Sequence, residues 1–262
     1  MASAAMRCPG KKPRVLCLHG RGLNGAYFRG QLSGVLRMAP EFDYFFLDGH
    51  IESEVAPEAA GAWRVALAAD QRQAWQYFHL REDSAAVDAA HRWQARDAAR
   101  GLERVWDDVS KEATARGPFF AAIGFSQGAN VAAALLARQA ASGMDLGLRC
   151  SVNLCGGLWG FWSRSPQQWW RSADCPADPP PCGVQSQLID RLLVPSIHVV
   201  GLADPYLPQS RSLVENYCSE QGCERRVIEH LGGHTPFPQT PKERQEVIKE
   251  VSNFLRSYAC AP

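Results

Sequence analysis

The sequence predicts an α/β fold, a mainly parallel sheet with helices on both faces. Three observations carry this. Short apolar runs such as VLCL, YFFL and FFAAIGF are continuous rather than alternating, as strands buried on both faces must be. Segments of helical period separate them, the pattern of strand–helix–strand units. A serine, an aspartate and a histidine fall just past the ends of such strands, where open α/β sheets hold their ligands.

Arg14–Leu18 (RVLCL) reads as the first buried strand. Lys11, Lys12 and Arg14 precede the apolar run, but it ends at once in His19-Gly20-Arg21. It lacks the longer apolar region and small-residue cleavage site of an export signal. Tyr27–Met38 reads as a helix and Tyr44–Leu47 (YFFL) as the second strand. Residues 49–75 mix Pro, Gly and Ala with no clean period and read as an irregular insertion. His91–Arg116 is expected to be a long helix, because Trp93, Ala98, Leu102, Val105, Trp106 and Val109 recur at three- and four-residue steps. Gly117-Pro118 stops it.

Phe119–Phe125 follows as the third strand, Gly128–Arg138 as an alanine-rich helix and Cys150–Leu154 as the fourth strand. Residues 160–187, rich in Trp, Pro and Ser, read as a second insertion. Ile197–Gly201 is the fifth strand, Gln209–Glu220 a helix, and Arg226–Glu229 a short sixth strand. Pro241–Tyr258 closes the chain as an amphipathic helix with Val247, Val251, Phe254 and Leu255 on one face. No internal repeat interrupts this order, so residues 1–262 read as one domain carrying two decorations.

Composition narrows the function. The 262 residues are 46% apolar and 21% charged, a globular balance long enough for a sizeable core. With a net charge of +1 and no Lys/Arg-rich block, there is no electrostatic footprint for nucleic acid. No apolar stretch is long enough to span a bilayer. Without an export signal the nine cysteines are expected to be reduced thiols of a cytoplasmic protein. A Cys175–Cys182 or Cys218–Cys223 bridge is left open, as is the oligomeric state.

Gly124-Phe125-Ser126-Gln127-Gly128 is a G-x-S-x-G between a strand and a helix. A sharp turn there strains the serine and leaves no room for flanking side chains, which accounts for both glycines. A serine hydroxyl needs a base, and in such elbows an acid and then a histidine follow in the chain. Asp204, in GLADPYLP after the fifth strand, and His234, in GGHTPFP after the sixth, fit that order. His50, His79 and His91 precede the serine, and His198 and His230 sit inside strand patterns. The oxyanion donors expected are the amides of Gln127 and of Arg21, with Gly22 next. Cys218, Cys223, His230 and His234 mimic the ends of a zinc finger, but six residues separate the pairs where about twelve are needed. No metal and no cofactor are expected.

The segments VLCLHGRGLNGAYFRGQLSGVLR, IGFSQGAN, GLADPYLP and GGHTPFP resemble the FSH family of serine hydrolases within the α/β-hydrolase superfamily. The likeness runs from about Arg14 to Leu255. It implies Ser126 as nucleophile, Asp204 as acid and His234 as base, acting without a cofactor on esters or thioesters with an acyl chain. The family's second strand usually ends in Asp-Gly-Pro, and here Asp48-Gly49-His50 stands in its place. The stretch Phe161–Gly183, with Trp162, Trp169, Trp170 and Pro179–Pro181, also departs from it.

The leading expectation is a carboxylic ester hydrolase for medium- to long-chain acyl groups. Thioester hydrolysis at the same site, a peptidase or amidase, and a receptor that kept the hydrolase fold are the alternatives. Trp75, Tyr77 and Phe78, with Phe161 and Trp162, are expected to line the acyl slot or to pack into the core.

Overall fold

The structure, a computed structural model, describes residues 11–56, 73–79, 87–157, 191–219 and 223–259, with the backbone alone over 87–97. Its strands are β1 (Arg14–Leu18), β2 (Asp43–Leu47), β3 (Ile51–Ser53), β4 (Ala74–Gln76), β5 (Phe119–Phe125), β6 (Cys150–Leu154), β7 (Ser196–Gly201) and β8 (Arg225–His230). Its helices are α1 (Gly25–Gln31), α2 (Ser33–Met38), α3 (Val87–Arg116), α4 (Gln127–Ser142), α5 (Leu207–Glu215) and α6 (Pro241–Ala259). Six strands form one sheet in the order β2-β1-β5-β6-β7-β8, with every pairing parallel.

The continuous apolar strands feed two cores at once, because side chains alternate across a sheet. Val15, Cys17, Ala121 and Ile123 pack on one face with Phe28, Val35, Val251 and Phe254 of α1, α2 and α6. Leu16, Leu18 and Ala122 pack on the other with Leu102 and Val105 of α3 and Val131 and Leu135 of α4. Arg14 is buried at the start of β1, where it pairs with Asp43 and Glu112 and donates to the Gly117 carbonyl.

Several details differ from the sequence reading. The helix expected over 27–38 is two helices. Asn24 caps α1 by accepting from the Tyr27 amide at 2.8 Å, so it starts earlier, at Gly25. It breaks at Leu32 (φ −81°, ψ 2°), between Gly30 and Gly34, residues of low helix propensity. Segment 49–75 is not wholly irregular, since Ile51–Ser53 pairs antiparallel with Ala74–Gln76. Three-residue strands joined over a long separation leave no period to read. Finally, α5 ends at Glu215 rather than 220. There the chain turns so that Tyr217 enters the core, with Cys218 N–H donating to Leu192 O at 3.0 Å.

The strand order fixes the site. The chain runs from β1 outward to β2, then returns to β5 on the other side of β1. The carboxyl ends of β1 and β5 therefore flank a topological switch point, the natural ligand crevice of an open parallel sheet.

Candidate active site

Ser126 stands at the end of β5, before the first residue of α4. Its φ of 51° and ψ of −117° lie in a region that non-glycine residues rarely adopt. The flanking glycines permit this turn through close approach. A Cβ on Gly124 would sit 2.4 Å from the Ala129 backbone, and one on Gly128 would sit 2.1 Å from the Leu18 carbonyl oxygen. The Ser126 amide donates to Leu154 O at 2.9 Å, which pins the elbow to β6.

His234 Nε2 lies 2.9 Å from Ser126 Oγ, and its Nδ1 lies 2.7 Å from Asp204 Oδ2. Asp204 Oδ1 accepts from the Tyr206 amide at 2.8 Å. With the Asp204 side chain fully buried and ionised, Nδ1 carries the ring proton and Nε2 is left to accept from the serine. Burial alone would raise the Asp204 pKa, but the His234 hydrogen bond and charge, the Tyr206 amide and the Cys155 thiol outweigh it. The carboxyl is held below its ordinary range. The ring is also gripped by aromatics: Phe125 and Tyr206 each lie 5.2 Å from it, centroid to centroid. The two loops are tied by backbone bonds from Leu202 N–H to His230 O at 2.8 Å and from Ala203 N–H to Gly232 O at 3.0 Å.

The loop after β1 is braced from beneath. Gly49 N–H donates to His19 Nε2 at 3.1 Å, so the proton is on Nδ1, which donates to Gly20 O at 2.7 Å. Burial brings the His19 pKa down to about 4 and keeps the ring neutral in both bonds. Tyr77 stacks on it, accepts from the His19 amide at 3.1 Å and donates to Leu47 O at 2.8 Å. The Gln127 side chain accepts from Tyr77 N–H at 2.9 Å and donates to Phe78 O at 2.7 Å. The elbow, β4 and the β1 loop are thereby one hydrogen-bonded unit. The Gln127 amide is at the first position of α4, where an N–H has no intrahelical partner.

The structure thus brings Ser126, Asp204 and His234 together. It corrects the expectation for Gly22. Its amide donates to Trp75 O at 3.0 Å, its carbonyl accepts from Ala56 N–H at 3.1 Å, and φ is 70°. Gly22 is there to let chains approach, since a Cβ would meet Ala56 N at 2.6 Å. Tyr77 and Phe78 are fully buried in the core under α3, so of the two readings offered for them it is packing that holds. Trp75 is half-buried beside the β1 loop, and the Arg21 residue is exposed. Phe161 and Trp162 lie outside the described residues, as does Cys175–Cys182. No disulfide joins Cys218 to Cys223.

Three contributors escaped the sequence reading: the Gln127 side chain, Tyr206 and Cys155. Cys155 follows β6 and is another strand-end residue, which is the signal that could have singled it out. An apolar run before it made it look like ordinary core.

A serine on a strand-to-helix elbow at the switch point of a parallel sheet, hydrogen-bonded to a histidine that an aspartate holds, is the arrangement of α/β-hydrolase serine enzymes. A family model described as serine hydrolase (FSH1) matches residues 6–247, and the chain belongs to that family. It is 30% identical to esterase claE of Penicillium crustosum, over 93% of this chain and 93% of that protein. It is 28% identical to a probable esterase, azaC, of Aspergillus niger, over 95% of this chain and 87% of that protein. Among solved structures, esterase PE8 superposes with a TM-score of 0.61 at 15% identity, over 94% of this chain and 93% of that one. Zea mays acyl-protein thioesterase 2 gives 0.54 at 20%, over 95% and 97%. At such identities the two structures speak for the fold.

Proposed function

We propose that the protein hydrolyses carboxylic esters of medium- to long-chain acids through an acyl-enzyme on Ser126. The observation that carries this is the continuous hydrogen-bonded chain from Ser126 Oγ through His234 to Asp204. His234 takes the serine proton as Oγ attacks the acyl carbonyl, and Asp204 holds the ring tautomer and stabilises the imidazolium. The amides of Gln127 and Arg21 receive the developing oxyanion. His234 then protonates the leaving alcohol, and water repeats the cycle on the acyl-enzyme. The names of the relatives, esterases throughout those cited, agree with this chemistry.

The acyl preference is supported by apolar side chains around the site. Trp75 is half-buried beside the β1 loop, and Leu202 and Leu231, past β7 and β8, are 38% and 79% exposed. Each methylene buried there would contribute about 0.8 kcal/mol, or roughly fourfold in kcat/KM. No helix among the described residues is long and apolar enough to cross a membrane. Reduced thiols at the buried Cys17, Cys150 and Cys155 fit a reducing compartment, the cytoplasm in this reading.

The test is a panel of p-nitrophenyl esters from acetate to laurate, with matched thioesters alongside. The expected result is kcat/KM climbing about fifteenfold per added pair of carbons, roughly fourfold for each methylene, before levelling. Acetate as best substrate would overturn the acyl preference, and thioesters turned over far faster than matched esters would reassign the substrate.

A further inference from the structure

We propose that Cys155, Asp204 and His234 form a binding site for a thiophilic divalent cation, zinc(II) foremost, whose occupancy switches the hydrolase off. One ligand atom from each of the three residues lies within 4.8 Å of the others. Cys155 is fully buried, and its φ of 43° is a left-handed conformation that side-chain-bearing residues seldom adopt. That backbone turns the thiol in behind the histidine rather than out to solvent. Its Sγ donates to the Thr235 carbonyl oxygen at 3.1 Å and lies within 4.8 Å of the Asp204 and His234 ligand atoms.

The donor set suits zinc. Bonds of about 2.3 Å to sulfur and about 2.0–2.2 Å to nitrogen and oxygen place tetrahedral ligand atoms roughly 3.3–3.6 Å apart. The 2.7 Å between His234 Nδ1 and Asp204 Oδ2 must open to that spacing on binding, and the Thr235 carbonyl oxygen, 3.1 Å from Sγ, offers a further oxygen next to the three. The charges also close. A buried cation needs ionised partners, and one thiolate with one carboxylate neutralises the divalent charge.

Proton balance gives the consequence. Zinc bonds through the Nδ1 lone pair, so the ring proton of neutral His234 must move to Nε2. The Cys155 thiol gives its proton to solvent, one proton released per metal bound. Nε2 then donates towards Ser126 Oγ instead of accepting from it, and the serine has no base. This shut-off rests on the reading of His234 as general base, whereas the binding site does not.

The experiment uses the full-length, reduced, metal-stripped protein and two variants. Cys155→Gly removes the thiol and suits the positive φ, and Cys155→Ser keeps the size without the thiolate. Zinc chloride is titrated into p-nitrophenyl butyrate hydrolysis, each protein being compared with its own metal-free rate. Cadmium chloride is titrated separately while the ultraviolet thiolate–metal absorption is followed. The expected results are reversible inhibition of the wild type, restored by EDTA, and an inhibition midpoint at least tenfold higher in both variants. The cadmium difference spectrum, wild type minus Cys155→Gly, should show thiolate absorption for one site per chain. Equal zinc midpoints in wild type and variants, or no difference absorption, would overturn the site. Difference absorption without inhibition would overturn the shut-off while the binding site would stand, and the base role of His234 would then be decided separately by the loss of activity in His234→Ala.

Discussion

His19 and His198 are both fully enclosed, and burial lowers their pKa values to about 4 and about 3. His19 sits under the β1 loop, and His198 lies in β7 against Ser196 and Tyr217. In the unfolded chain both should titrate near 6.5. Folding therefore keeps them neutral while the unfolded chain takes up protons below that value. Their contribution is fully present above pH 6.5 and is lost as pH falls towards the folded values. At pH 5 the loss is about 2 kcal/mol for each, or about 4 kcal/mol together, relative to pH 7.5. His230, lowered chiefly by burial, adds in the same direction. Carboxyls held low, such as Glu41 and Asp145, act mainly below this window. The assay is urea unfolding followed by tryptophan fluorescence at both pH values, for wild type and His198→Asn. The wild type should lose about 4 kcal/mol and the variant about 2 kcal/mol, whatever the variant costs at pH 7.5. Equal losses in the two proteins, or a wild-type loss under about 1 kcal/mol, would refute the reasoning.

Gly128→Ala places a Cβ 2.1 Å from the Leu18 carbonyl oxygen, so the elbow must shift. Esterase kcat/KM should fall at least about a hundredfold, with about 1–3 kcal/mol lost in urea unfolding. Tyr77→Phe removes the hydroxyl that joins the His19 amide to Leu47 O, and should cost about 1–2 kcal/mol by the same assay. His234→Ala should reduce kcat about as far as Ser126→Ala, and the double variant should be little worse than either, because these residues are expected to act as a unit.

Much of the fold was legible because the main strands are buried on both faces. RVLCL and FFAAIGF had one reading, and β1 and β5 have the bounds expected for them. Helix ends were harder, since they depend on partners distant in sequence. The bend at Leu32 falls between Gly30 and Gly34, and the early stop of α5 lets Tyr217 enter the core. The pairing of Ile51–Ser53 with Ala74–Gln76 is too short and too non-local to leave a pattern. Ser126, Asp204 and His234 could be picked out because reactive residues at strand ends stand out against apolar runs. Gly22 could not be separated from Arg21, because only the folded chain decides which amide meets the Trp75 carbonyl. For Tyr77 and Phe78 the sequence left pocket and core readings both open, because their segment looked irregular and their burial depends on α3 and Gln127. Cys155 was hidden by its own apolarity.

The most direct test of the account is to react the protein with a fluorophosphonate and locate the adduct by peptide mass spectrometry. One adduct is expected, on Ser126, formed in step with loss of esterase activity and absent in Ser126→Ala. An adduct on another serine, or full esterase activity in Ser126→Ala, would contradict it.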